Sequence, residues 1–195
     1  MAYKLLGNKD RGAAFVVSGP AGTGKNTLVD RLIAEFPCVV ESVSCTTRDP
    51  RPNEVPGEHY NFLSKADFEE KILHGEFLEY AEVFGNYYGT LASTVEKKRD
   101  EGKHVFLVID VQGAMNLRKG FVATFIFIAP PSLEELRRRL TERDTEPQEK
   151  IEQRLSMADG EMSKIPEYDY VVVNDDVDIA YDTLKSIVIA EEHKV

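Results

Sequence analysis

The most explicit chemistry in the sequence lies in one run, Gly19-Pro20-Ala21-Gly22-Thr23-Gly24-Lys25-Asn26-Thr27. Its glycines let backbone N–H groups turn inward on a polyphosphate without Cβ clashes. A helix starting near Lys25 adds unpaired N–H groups and a positive dipole end. Lys25 brings a mobile charge suited to β- and γ-phosphates. In such loops a Ser or Thr usually follows the lysine and holds Mg²⁺ through its hydroxyl; here that place is Asn26. Thr27 offers a hydroxyl one position later, so the expected Mg²⁺ contact is through Asn26 or Thr27. A second candidate is the turn Thr46-Thr47-Arg48-Asp49-Pro50-Arg51-Pro52. Its prolines keep two guanidiniums on a backbone that cannot collapse into a helix, and arginine forks suit a phosphate dianion. Read alone, the segment also fits a solvated Pro-rich loop. The third is Asp110, at the end of an apolar run, where a carboxylate addresses Mg²⁺, its waters or a second substrate, or only caps the next turn.

The elements that position these residues follow from pattern. Ala13-Ala14-Phe15-Val16-Val17 reads as a strand before the glycine loop, and residues 28–36 as an amphipathic helix after it. Strands are expected at 39–45, 58–63, 77–84, 103–110, 122–129 and 169–173, with a turn at Gly85-Asn86 and a return strand through Tyr87-Tyr88. Helices are expected from the Ser64 capping box to Gly75, over 93–101, and over 133–143 behind a Ser132/Glu135 capping box. A charged helical stretch is expected over 144–165, and a last helix over 179–190 with Ala180, Leu184, Ile187 and Val188 inward. Strands alternating with helices behind a phosphate loop make an α/β fold, a parallel sheet flanked by helices with the ligand at the carboxyl ends of its strands. Residues 43–92 look like a small mixed insertion in that architecture.

The chain has 195 residues, 42% of them hydrophobic, which suits one sizeable core. A formal net charge of -10 argues against non-specific nucleic-acid wrapping, though it permits a local cationic pocket. Cys38 and Cys45 lack metal or redox spacing. With no apolar leader and no membrane-length run, the expectation is a cytoplasmic protein with no nucleic-acid or membrane partner, monomeric or homodimeric.

The segments GPAGTGKNTL, SCTTRDPRPNE, GEHYNF, EFLEYAEVFGNYYGT, IDVQGA, IFIAPPSLEELRRRL and VVVNDD together resemble the guanylate kinases, in family order and over nearly the whole chain. The resemblance implies a P-loop nucleoside monophosphate kinase fold with a P-loop core (1–42, 93–134 and 166–195), a GMP-binding insertion (43–92) and a helical lid (135–165). It implies Mg²⁺-dependent transfer of the ATP γ-phosphoryl to GMP, and to dGMP, giving GDP or dGDP and ADP. By the same resemblance Ser44, Arg48, Arg51 and Tyr60 hold the GMP phosphate, Tyr88 lines the GMP pocket, and Glu79, Thr90 and Asp110 read guanine. Lys25, Arg139, Arg143 and Arg154 surround the transferring group. The loop from Gly19 to Thr27 (Pro20, Ala21, Gly22, Thr23, Gly24 and Asn26 included) and Asn174 bind ATP. Glu79 and Asp110 would accept from N1–H and the 2-amino group, and Thr90 would donate to O6. Val108 replaces an acidic residue common in the family, and Asp144 stands where glycine often follows the lid arginine. Two other readings use the same scaffold: a non-catalytic module binding a phosphorylated partner, and a kinase for another phosphorylated acceptor. The intact lysine and lid arginines weigh against the first, and the trio Glu79, Thr90 and Asp110 against the second.

Overall fold

A computed structural model describes residues 4–142 and 148–195, apart from the side chain of Lys150. Five strands form a parallel sheet: β1 (Ala14–Ser18), β2 (Val39–Glu41), β7 (His104–Val108), β8 (Thr124–Ala129) and β9 (Tyr170–Val173), in the order β2-β7-β1-β8-β9. Side chains alternate between its faces. Phe15, Val17, Phe106, Ile126 and Ile128 pack with helices α1 (Lys25–Glu35) and α7 (Val177–Glu192). Ala14, Val16, Val105, Leu107, Phe125 and Phe127 pack on the other face with α3 (Ala92–Asp100) and α4 (Val111–Leu117). Because both faces are covered, the strands read as continuous apolar runs. The α/β class expected from the pattern is the class observed, and Ala180, Leu184, Ile187 and Val188 of α7 are buried as expected.

A second, mixed sheet runs β4-β3-β6-β5, built from β3 (Cys45–Thr46), β4 (Asn61–Phe62), β5 (Phe77–Val83) and β6 (Asn86–Leu91). Helix α2 (Lys65–Leu73) lies against it through Phe68, whose ring stacks on Phe77 and Tyr87 at 4.3 and 5.2 Å. The Ser64 hydroxyl caps α2 by accepting from the Asp67 N–H at 3.1 Å. A third apolar cluster joins α5 (Leu133–Glu142) and α6 (Gln148–Met162): Leu136, Leu140, Ile151 and Ala158 pack with Leu155 and with Ala21 of the glycine loop.

Five local expectations are corrected. The run 39–45 is two strands in two sheets, because Ser42 continues the β7 ladder through its N–H to Phe106 O while Ser44 O accepts from Asn61 N. The run 58–63 pairs only at Asn61–Phe62. Its start is folded into a turn over Gly57 in which the N–H groups of Glu58 and His59 both donate to Val55 O. The β5–β6 turn falls on Phe84 and Gly85, both with positive φ, with Asn86 already in β6. The run 103–110 ends as a strand at Val108, and Asp110 opens α4, a short helix that the pattern had not announced. The Ser132 cap is half of the expected box. Its Oγ accepts from the Glu135 N–H at 3.1 Å, while the Glu135 carboxylate turns to Arg138 and Arg139.

Candidate active site

The glycine loop joins β1 to α1 at the carboxyl end of the sheet, between helices α5 and α6 and the β9–α7 junction. Gly24 occupies the N-cap of α1 at φ 83 with no side-chain cap, so the first N–H groups of the helix are available to an anion. A Cβ at Gly24 would lie 2.5 Å from Asn174 Nδ2, which itself donates to Thr23 O at 2.8 Å. Asn174, 5% exposed, thereby fastens the loop to the end of β9. Thr23 is buried and donates its hydroxyl to Pro20 O. Lys25 Nζ donates to Gly19 O and Pro20 O at 2.7 and 3.0 Å. Arg139 reaches across from α5, donating to Asn174 O at 2.8 Å and to Glu135 Oε1 at 2.7 Å. A cavity of about 470 Å³ opens here, lined by Gly22, Gly24, Thr27, Arg139, Asn174 and Asp176 among others. Both Asn26 and Thr27 are exposed.

Helices α5 and α6, where the resemblance implies a lid, pack against each other through Leu136, Leu140, Ile151 and Ala158. On α6, Ile151, Arg154, Leu155, Ala158 and Glu161 share the inner face at helical spacing. Arg154 lies over the Phe84 ring at 5.9 Å, at the tip of the β5–β6 hairpin. Burial pushes the Glu161 carboxyl up, against the pull of Lys25 and Arg154 and with Asp110 adding to the rise. Glu161 therefore belongs to this cleft. Arg143 and Asp144 lie outside the described residues.

Across the cleft, the mixed sheet presents side chains instead of backbone. Glu79 is 6% exposed, and Thr90, opposite it in the β5–β6 ladder, donates its hydroxyl to Glu79 Oε1 at 2.8 Å. Burial pushes the Glu79 carboxyl up to about 7, with Thr90 opposing and the Asp110 charge adding to the rise. Asp110 caps α4 by accepting from the Gly113 N–H at 2.7 Å. A Cβ on Gly113 would fall 2.6 Å from Glu79 Oε2, so an alanine there would make this carboxylate move. A β-bulge between Phe77 and Glu79 sets Glu79 and Ala81 inward and Tyr80 and Glu82 outward.

Two residues along the same face of β6, Tyr88 meets a cluster of aromatic and cationic groups. Tyr60 and Tyr88 face edge-on with ring centroids 6.0 Å apart, and the Arg48 guanidinium sits 5.4 Å from the Tyr60 ring. Arg48 forms a two-pronged pair with Glu54 at 2.8 and 2.9 Å. The Glu54 carboxylate, and more weakly the Tyr88 phenol, hold the guanidinium charged above its ordinary range, against the cost of burial. Arg51 stands exposed on the same turn, and Ser44 is half-buried between β2 and β3.

The guanylate kinase family model matches residues 11–191. A guanylate kinase from Protochlamydia amoebophila is 53% identical over 192 residues, covering 98% of either chain. The chain belongs to the guanylate kinase family. One from Chlamydia trachomatis is 48% identical over 182 residues, 93% of this chain and 89% of the relative. Among solved structures, guanylate kinase from Anaplasma phagocytophilum superposes with a TM-score of 0.78 at 38% identity, over 96% of this chain and 89% of that one. Local pattern gives Glu54, Gly113 and Glu161 no part in the site and reads Glu135 only as half of a helix cap. A usable signal existed for two of them. Glu161 shares the spacing of the inner face of α6, and Glu54 follows Arg51 at turn distance. For Gly113 and Glu135 the signal is tertiary or lies in a choice between partners.

Proposed function

We propose that this member of the guanylate kinase family transfers the γ-phosphoryl group of ATP to GMP, forming ADP and GDP. The observation that carries the reading is the placement of two kinds of receptor on one face of the mixed sheet. The buried carboxylate Glu79 is paired with Thr90, and the Arg48–Tyr60–Tyr88 cluster lies one side-chain repeat away. A base at the first and a phosphate at the second would lay a mononucleotide along β6. Glu79 and Asp110 would accept from guanine N1–H and the 2-amino group. A hydroxyl has a single hydrogen, and in this structure that of Thr90 goes to Glu79, so Thr90 would aim the carboxylate and would have to turn to donate to O6 as the resemblance implies. Adenine at this site would leave buried acceptors unpaired, at about 1–3 kcal/mol per group.

Phosphoryl transfer needs placement and charge neutralisation more than a covalent nucleophile. The attacking GMP phosphate oxygen is already anionic near neutral pH, its second ionisation lying near 6, so the chain need supply no base. Gly22, Gly24 and the α1 N–H groups would hold the ATP phosphates. Lys25 would leave the loop carbonyls for the β- and γ-phosphates, and Arg139, Arg143 and Arg154 would arrive from the lid. Residues 43–92 would thus act as the acceptor-binding unit and 135–165 as the lid that excludes water.

Among the described residues no group of three or more His, Cys, Asp or Glu suits a metal ion. That fits a magnesium ion that arrives with ATP, because Mg²⁺ keeps several waters and takes few protein ligands. Thr27, on the cavity wall, or its neighbour Asn26 would hold it. When bound, the ion neutralises charge on the phosphate oxygens. Also among the described residues, no helix is long and apolar enough to cross a membrane.

The test is ADP formation from Mg-ATP with GMP, dGMP, AMP, CMP and UMP offered separately. Turnover with the guanine nucleotides alone is expected. Equal turnover with AMP would overturn the base-reading assignment, and no turnover with any of them would overturn the reaction.

A further inference from the structure

We infer that Glu54 is a positioning residue for the acceptor phosphate, and that it acts through Arg48. The inference rests on the proposed GMP site and concerns a side chain to which the resemblance gives no role. Glu54 is 12% exposed in its side chain and Arg48 18%, and the pair is bound on several sides. Arg48 Nη1 donates to Asp49 O at 2.6 Å and to Glu54 Oε2 at 2.9 Å, while Nη2 donates to Glu54 Oε1 at 2.8 Å. Glu54 Oε2 also accepts from the Arg51 backbone N–H at 2.7 Å, and the Glu54 N–H returns to Arg51 O at 3.0 Å. One carboxylate thus holds the Arg51 N–H and grips the end of the Arg48 fork.

The consequence follows from counting donors. A guanidinium has five N–H groups in a fixed plane. Three of them are directed to Asp49 O and the two Glu54 oxygens. The two that remain, Nε–H and the second Nη2–H, lie side by side on one edge, the spacing at which a phosphate presents two oxygens. The Tyr88 phenol, within hydrogen-bonding reach of the same guanidinium, would share these donors with the phosphate. Glu54 therefore sets the plane in which that edge is offered, and it fixes the backbone from which Arg51 projects. A loose carboxylate merely filling the phosphate site would not also accept from the Arg51 N–H while its own backbone N–H holds Arg51 O.

The experiment is Glu54→Gln in the full chain, with steady-state kinetics, GMP binding by calorimetry and thermal unfolding. The amide puts an N–H₂ against one Arg48 N–H and removes the charge. The expected result is a KM and Kd for GMP raised roughly tenfold to a hundredfold, with kcat at saturating GMP, KM for ATP and the inhibition constant of guanosine unchanged. Guanosine lacks the phosphate, so a general collapse of the pocket would raise its constant too, and that result would overturn the inference. Unchanged GMP affinity would overturn it as well. Tighter GMP binding would do the same by making Glu54 a competitor of the phosphate. Should Glu54→Gln fail to fold, Glu54→Asp keeps the charge but withdraws it by one methylene, and the same split between GMP and guanosine is expected. Wild-type protein that turns over no GMP would defeat the proposed function instead, and calorimetry with GMP would still decide the part played by Glu54.

Discussion

On the proposed reading, the two sides of the cleft would recognise phosphate by different means. On the side assigned to ATP the receptor is backbone: glycines at positive φ, the uncapped start of α1, and carbonyls on which Lys25 and Arg139 rest. On the side assigned to GMP the receptor is side chain: Glu79 held by Thr90, Arg48 held by Glu54, and tyrosine rings around them. The supports differ accordingly. The glycine loop follows β1, a strand buried at every position, whereas β5 and β6 carry half-buried and exposed residues. A backbone receptor is suited to the polyphosphate that every nucleoside triphosphate shares. A side-chain receptor can tell one base from another, because each buried polar atom must find its partner.

Four substitutions or titrations separate the two sides. The largest effect is expected of Lys25→Ala: kcat falls on the order of 10²–10³-fold, by analogy with loss of one transition-state donor, while KM for GMP and the melting temperature stay put. A fall in GMP affinity of the same size would merge the two sides. Next, Glu79→Ala should raise KM for GMP by roughly tenfold to a hundredfold and narrow the preference over AMP, with KM for ATP unchanged; equal changes in both constants would contradict a base reader. Gly113→Ala should move in the same direction by a smaller amount, since its Cβ would press on Glu79 Oε2 from 2.6 Å. It should also cost about 1–3 kcal/mol of stability, read by urea unfolding. The smallest effect separates the site from the fold as a whole. At the opposite end of β7, His104 is buried, accepts at Nδ1 from the Ala13 N–H, and meets Glu192 at 2.5 Å through Nε2. Burial outweighs Glu192 and lowers its pKa from 6.5. At this site the unfolded chain therefore binds more protons once the pH drops below about 6.5, and the stability that His104 contributes falls with pH from there, by up to about 1.4 kcal/mol at pH 5.5. Glu41 and Glu79, both pushed up to about 7 by burial, shift stability the opposite way over this range. The check is therefore urea unfolding of wild type against His104→Gln at pH 7.5 and 5.5, with the wild type losing ground to the variant at the lower pH.

The same contrast explains what could be read from residues alone. A backbone receptor writes itself into sequence as glycine spacing between an apolar strand and an amphipathic helix, so the loop and its sheet were legible. The side-chain receptor is assembled by register and by turns. That Glu79 faces Thr90 depends on a bulge after Phe77, and that Glu54 grips Arg48 depends on a proline turn closing on itself. Neither follows from local pattern, and Glu79 and Thr90 came into view through family resemblance. Residues 39–45 failed for a related reason. Val39-Val40-Glu41-Ser42-Val43-Ser44-Cys45 is one uninterrupted strand-like run, and only the competition of two sheets for its N–H and C=O groups divides it. Helix α4 was missed because Val111-Gln112-Gly113-Ala114 has little helix signal of its own, glycine being a poor helix former.

The most direct test of the base-reading claim is the inhibition constant of guanosine against GMP, followed from pH 8.5 to 5.5 alongside the KM for ATP. Guanosine carries the base without the phosphate, whose own ionisation near 6 would confuse the titration. Glu79 must be ionised to accept from guanine, and its carboxyl is pushed up to about 7. Guanosine binding should therefore hold steady above that pH and weaken by about tenfold per unit below it, with no such break for ATP. A flat guanosine profile, or the same break for both ligands, would contradict Glu79 as the reader of the base.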